Sequence, residues 1–216
     1  MWTRKRRQVT ITTIAEKVLI TAGVLLGFFI IGRGVISFFR LFKDLSLSRI
    51  ERAIFSLAIG IALYHYLALA AGVAGVFRAE VLISMFLLSC ILSLAGLYIR
   101  SGKRRSDPAK ISRSFSLYDP PIITFIVLSI LPSFLAALEP EIQPDALSYH
   151  LALPKSFLEN GRVDFTLDHY TSGYPLLAEM IYSLLGALGD FEASALFHFF
   201  IFAAILLLVF EWVKRI

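Results

Sequence analysis

The stretch AIFSLAIGIALYHYLALAAGVAGVF, residues 53–77, runs for 25 positions without a formally charged side chain. A bilayer core about 30 Å thick takes about 20 helical residues, so this stretch is long enough to cross one. Lipid offers the backbone no hydrogen-bond partner, which makes a helix the expected form. Working outward, further apolar runs occupy 18–39, 81–99, 122–138 and 193–210. With 57% hydrophobic residues and a mean hydropathy of +0.76, the chain reads as an all-α polytopic membrane bundle of about five spans. A soluble domain would need far more polar surface.

Charge divides the chain more usefully than the net +5 does. Residues 139–192 hold nine acids against Lys155 and Arg162, a local net of −7, which leaves +12 for the remainder. Residues 100–119 hold six bases (Arg100, Lys103, Arg104, Arg105, Lys110 and Arg113) against Asp107 and Asp119. Loops rich in Lys and Arg stay in the cytoplasm. The segment 100–119 is therefore expected to be a cytoplasmic linker and 139–192 a non-cytoplasmic acidic loop, with Lys214 and Arg215 back in the cytoplasm. The basic run of 100–119 marks topology or meets anionic lipid rather than nucleic acid.

One group resists this scheme. Arg4, Lys5, Arg6 and Arg7 ask for the same side as Arg40, Lys43, Arg49 and Arg52, yet a spanning first helix separates them. Its apolar core, 18–31, is 14 residues long before Gly32-Arg33-Gly34. Either this helix crosses against the rule or it is re-entrant or interfacial. The single Cys90 lies within a span, so disulfides and cysteine metal clusters are excluded.

The acidic segment carries the chemistry. Asp145 follows Pro144, and a helix over ALSYHLALPKSFLEN is expected to stop at Gly161, with Pro154 bending it. Asp145, Ser148 and Tyr149 fall three and four apart and share a face, while His150 points to the side. A carboxylate so placed can cap the helix, act as a general base, or hold a divalent metal with Glu139 or Glu141. A second helix, starting at Pro175 and running over PLLAEMIYSLLGAL to Gly189, is apolar nearly all round, as for a helix half sunk in the membrane interface. Both are expected as juxtamembrane helices of one loop.

Elsewhere, His65 lies at membrane depth and is expected to be a neutral imidazole bonded to a neighbouring helix. Small residues at four-residue spacing (Ala58 and Ala62, Ala68 and Gly72, Ala71 and Gly75) are expected to pack helices closely. His198 could approach the acidic segment from the last span.

An apolar helix leading into P-D-A-L-S-Y-H-L-A-L-P-K, then a Gly-terminated helix, an aromatic stretch, YPLLAEMIYSL and a further span, resembles the first non-cytoplasmic loop of the C-type glycosyltransferase superfamily. The likeness is to bacterial members akin to the protein mannosyltransferase and aminoarabinose transferase families, and it covers residues 131–210. It implies an enzyme of the bacterial inner membrane that takes a sugar from a polyprenyl-phosphate carrier and transfers it on the non-cytoplasmic side. It places the essential acid at Asp145, as base or as part of a metal site, and substrate contacts at Glu139, Glu141, Tyr149, His150, Lys155 and His169. Members of that superfamily carry many more spans. The chain is therefore expected to be a truncated form, or one half of an enzyme completed by a second polypeptide; the alternative is a non-catalytic membrane scaffold derived from such a transferase.

Overall fold

The computed structural model describes residues 11–43, 45–101, 120–164 and 176–213. They form α1 (Ile11–Phe39), α2 (Arg49–Val73), α3 (Ala79–Ser101), α4 (Pro120–Leu138), a π-helical turn (Ala146–His150), α5 (Ala152–Asn160), α6 (Leu177–Ala187) and α7 (Ala193–Val213). Among the described residues, four stretches of helix are long and apolar enough to cross a bilayer: Thr13–Phe39, Arg49–Val73, Ala79–Arg100 and Ala193–Val213. Helix α4 adds a fifth apolar helix of 19 residues with Pro132 inside it. The chain is built as an integral membrane protein, and no strand occurs among the described residues.

Helix α1 is longer than its apolar core predicts. It continues through Gly32-Arg33-Gly34 for 29 residues, and a re-entrant stop at Gly32 does not occur. Packing explains the continuity. A Cβ at Gly32 would collide with the Ser56 carbonyl of α2, and one at Gly34 with Ser93 of α3. Gly60 of α2 meets the Phe28 carbonyl in the same way, and Gly27 lies under the Phe86 ring. The glycines that loosen an isolated helix here let three backbones close on one another. The seam on α2 is thus Ser56 and Gly60, not Ala58 and Ala62, which are exposed; Ala68, Ala71 and Gly72 are buried as expected. Gly75 has a different use, turning the chain between α2 and α3 at φ +75.

Aromatic rings fill the space these glycines frame. Phe28 lies 5.5 Å from Tyr64, 5.4 Å from Phe86 and 6.1 Å from Phe197, mostly edge to face. Tyr64 is fully buried and donates its hydroxyl proton to the Leu82 carbonyl at 3.1 Å. A buried phenol without that bond would be destabilising.

Tertiary hydrogen bonds sort the helix ends into two groups. At one end, Lys17 of α1 donates to the carbonyls of Leu138 and Glu139, Thr21 to that of Ala193, the Phe77 amide to Gly161, and the Val163 amide to Gly72. This loop end gathers the start of α1, the α2–α3 turn, the end of α4, residues 139–164 and the start of α7. At the opposite end, Arg100 donates to the Ser37 and Phe38 carbonyls, and the Trp212 indole donates to Glu51 at 3.0 Å. Glu51 is fully buried there and closes a capping box with Ser48 at the start of α2.

Helix α6 departs from its expected setting. Glu179 and the six residues from Met180 to Leu185 are all buried, covered by α5, α3 and α2 rather than by lipid. Its all-round apolar surface belongs to a helix inside the bundle. Eleven residues span about 16 Å, too short to cross.

Candidate functional site

The expected helix over residues 146–160 forms in two pieces. Pro154 has no amide proton to give to the His150 carbonyl, and its ring crowds that carbonyl. The backbone answers by widening: the Leu151 amide donates to Ala146 at 2.8 Å, five residues back, and α5 begins only at Ala152. Such π-type turns re-aim side chains. Gly161, at φ +71, ends α5 as read from the sequence.

The re-aimed side chain is His150. Instead of pointing aside, its Nδ1 lies 2.6 Å from Oε1 of Glu179. The Glu179 side chain is 5% exposed and that of His150 37%. Burying a carboxylate is costly unless a donor meets it, and a charge-assisted bond of this length is a strong one. The Tyr149 ring packs against that of His150, tilted, at 4.0 Å between centroids. Tyr182, one turn after Glu179 on α6, bonds through its hydroxyl to Nδ1 of His198 at 3.2 Å. Burial, and after it the charges of Glu179 and Glu141, push the Tyr182 phenol up to about 12, so it stays protonated. His65 of α2 lies near Glu179 and bonds to the Leu177 backbone of the neighbouring α6, as expected of an imidazole at that depth, while its Nδ1 is buried with no hydrogen-bond partner among the described residues.

Asp145 takes a different position from the one its spacing implies. It occupies the N-cap position of the π turn in helical backbone conformation, and its side chain makes no capping bond. The capping role is thereby removed: with φ −64 and ψ −44 it lacks the extended geometry that aims a side chain back at the next amides. Its carboxylate is exposed beside Ser148, whose hydroxyl donates to the Asp145 backbone carbonyl at 3.3 Å. Glu141 accepts from the Gln143 amide at 2.8 Å, and the Glu139 carbonyl accepts from Lys17 at 3.1 Å. No three His, Cys, Asp or Glu side chains gather as a metal site among the described residues. Lys155 pairs with Glu159 at 3.9 Å and Arg162 with Asp164. His169 lies outside the described residues, as do Pro175 and most of the linker 100–119.

The structure therefore brings together Tyr149, His150, His65 and His198 of the residues singled out in the sequence, and adds Glu179 and Tyr182. Glu179 had a readable signal: it is the one charged residue in LLAEMIYSLLGAL. Lys17, 4% exposed on the first span, was likewise unread as part of the loop end. The chain matches no protein-family model, and neither a curated protein nor a solved structure is similar to it.

Proposed function

We propose that this chain is the catalytic-loop part of a membrane glycosyltransferase that takes a sugar from a polyprenyl-phosphate carrier, with the loop end on the non-cytoplasmic face of a bacterial inner membrane. On this reading α4 is a fifth span, and the π turn, α5 and α6 belong to one loop. The observation that carries it is Asp145, an exposed carboxylate without a capping bond, on a turn held from behind by the His150–Glu179 pair. An acceptor hydroxyl is a poor nucleophile until its proton leaves. Asp145 takes that proton as the acceptor oxygen bonds to the anomeric carbon, and the bond from that carbon to the carrier's phosphate oxygen breaks, its electrons staying on the phosphate. Glu141, Tyr149 and Lys155 contact substrate.

Asp145→Asn tests this in native membranes supplied with polyprenyl-phosphate sugar and an acceptor. Loss of a general base lowers transfer by about 100-fold to 10,000-fold. Insertion and melting stay within about 0.5 kcal/mol of wild type, as for an exposed surface change. Unchanged transfer removes Asp145 from the mechanism.

A second reading rests on Lys155 and Arg162. Both are engaged by neighbouring acids, which favours a non-catalytic scaffold that holds other spans together. Membranes that keep full transfer when the chain is deleted, but lose assembly of its partner, would select it.

A further inference from the structure

A cavity of about 300 Å³ opens at the loop end between the start of α1, the end of α4 and the turn after α6. Its wall includes Lys17, which is 4% exposed. Two of the three ammonium donors go to the Leu138 and Glu139 carbonyls, each at 3.1 Å, where the dipole of α4 places partial negative charge. One donor is left, and no carboxylate lies within ion-pair distance of Lys17 among the described residues. A buried ammonium met only by carbonyls is incompletely compensated. The same cavity is lined by Glu16, Asp190 and Glu192, and by the apolar side chains of Ile20 and Leu188. Asp190 Oδ1 is already bonded to the Glu192 amide.

We propose that this cavity binds the headgroup of a zwitterionic phospholipid bearing a primary amine, with its phosphate on Lys17 and its ammonium among Glu16, Asp190 and Glu192. The two charges of such a headgroup match the two signs of the wall. Free phosphate meets one cation and three acids, and is repelled. An anionic lipid without an amine meets the same repulsion, and a quaternary amine cannot donate hydrogen bonds to carboxylates. The volume sits at the small end of ligand sites, which suits a headgroup, and Ile20 and Leu188 give the wall an apolar part. This site is separate from Asp145 and independent of any transferase activity.

Native mass spectrometry of the delipidated full chain, titrated with phosphatidylethanolamine, phosphatidylglycerol and phosphatidylcholine, tests the proposal. Phosphatidylethanolamine should be retained about tenfold or more over the other two, and Lys17→Met should lose that retention while Lys17→Arg keeps most of it. Lys17→Met also cuts the α1–α4 tie, so Glu16→Gln/Glu192→Gln provides a second arm on the outer wall. That double variant should bring phosphatidylethanolamine and phosphatidylglycerol to within about threefold of each other. Equal retention of all three lipids by the wild type, or an unchanged preference in the double variant, overturns the proposal. Inorganic phosphate should not compete; competition by soluble phosphoethanolamine as strong as by the lipid overturns the lipid assignment.

Discussion

Glu179 and His150 are 29 positions apart and meet at 2.6 Å. His150→Ala leaves the carboxylate buried without its donor. Breaking a buried pair costs about 3–5 kcal/mol; because the His150 side chain is 37% exposed and water can enter, about 2 kcal/mol is expected here. Glu179→Gln keeps a hydrogen-bond acceptor and should cost about 1 kcal/mol. In a double-mutant cycle read by thermal melting in detergent, the two changes should couple by at least about 1 kcal/mol; additivity would mean that the pair is not stabilising. Tyr182 offers a pH test. Its phenol titrates near 10.0 when unfolded and is pushed up to about 12 in the fold. The folded chain therefore holds a proton that the unfolded chain releases, so the contribution is full below pH 10 and is lost as pH rises toward 12. Wild type should lose stability across that window, and Tyr182→Phe should flatten the slope; equal slopes would contradict the assigned environment. At this scale the sequence showed which residues were chemically unusual but not which of them would meet. Helical spacing sent His150 sideways because it assumes 3.6 residues per turn, and Pro154 forces a wider turn.

Among the elements, the glycine seams between α1, α2 and α3 set the closest approaches. Gly60→Leu would drive a side chain into the Phe28 carbonyl and should cost about 1–3 kcal/mol or more, whereas Gly23→Leu, on a face with open space, should be neutral. If the two variants melt alike, α1 and α2 are not packed as described. The apolar runs marked where the long helices lie, but α1 begins seven residues before its run and α2 begins and ends four residues before its own. The α2 seam was misassigned by two positions, since alanines and glycines every four residues fit two adjacent faces and only the partner helix selects between them. For α6 the composition was read correctly and its surroundings were not: an all-apolar helix looks the same whether lipid or protein covers it.

For the molecule as a whole, tertiary bonds place Ala74 and Asp164 at the same end of the bundle and Leu45 at the other. Single cysteines at these three positions, in a Cys90→Ala background, should label with an impermeant reagent in two classes. Ala74→Cys and Asp164→Cys should label in intact cells, and Leu45→Cys only after permeabilisation. Labelling of Leu45→Cys alone in intact cells would invert the orientation and with it the transferase reading. Charge segregation gives the expected sidedness of the loop, which this labelling tests. The full length of α1 was not legible, because its 14-residue apolar core is shorter than the helix that the bundle supports.

Lys17 and its acceptors also set a clock for biosynthesis. They are 121 and 122 positions apart, so at about 5–20 residues per second of synthesis the carbonyls that receive this ammonium emerge on the order of ten seconds after it does. For that interval the first helix carries an uncompensated cation that favours the aqueous border over the hydrocarbon, and its settled depth must wait for the end of α4. A nascent chain stalled before residue 138 should hold its first helix loosely, extractable by alkali, and one stalled well after it should hold the helix fast.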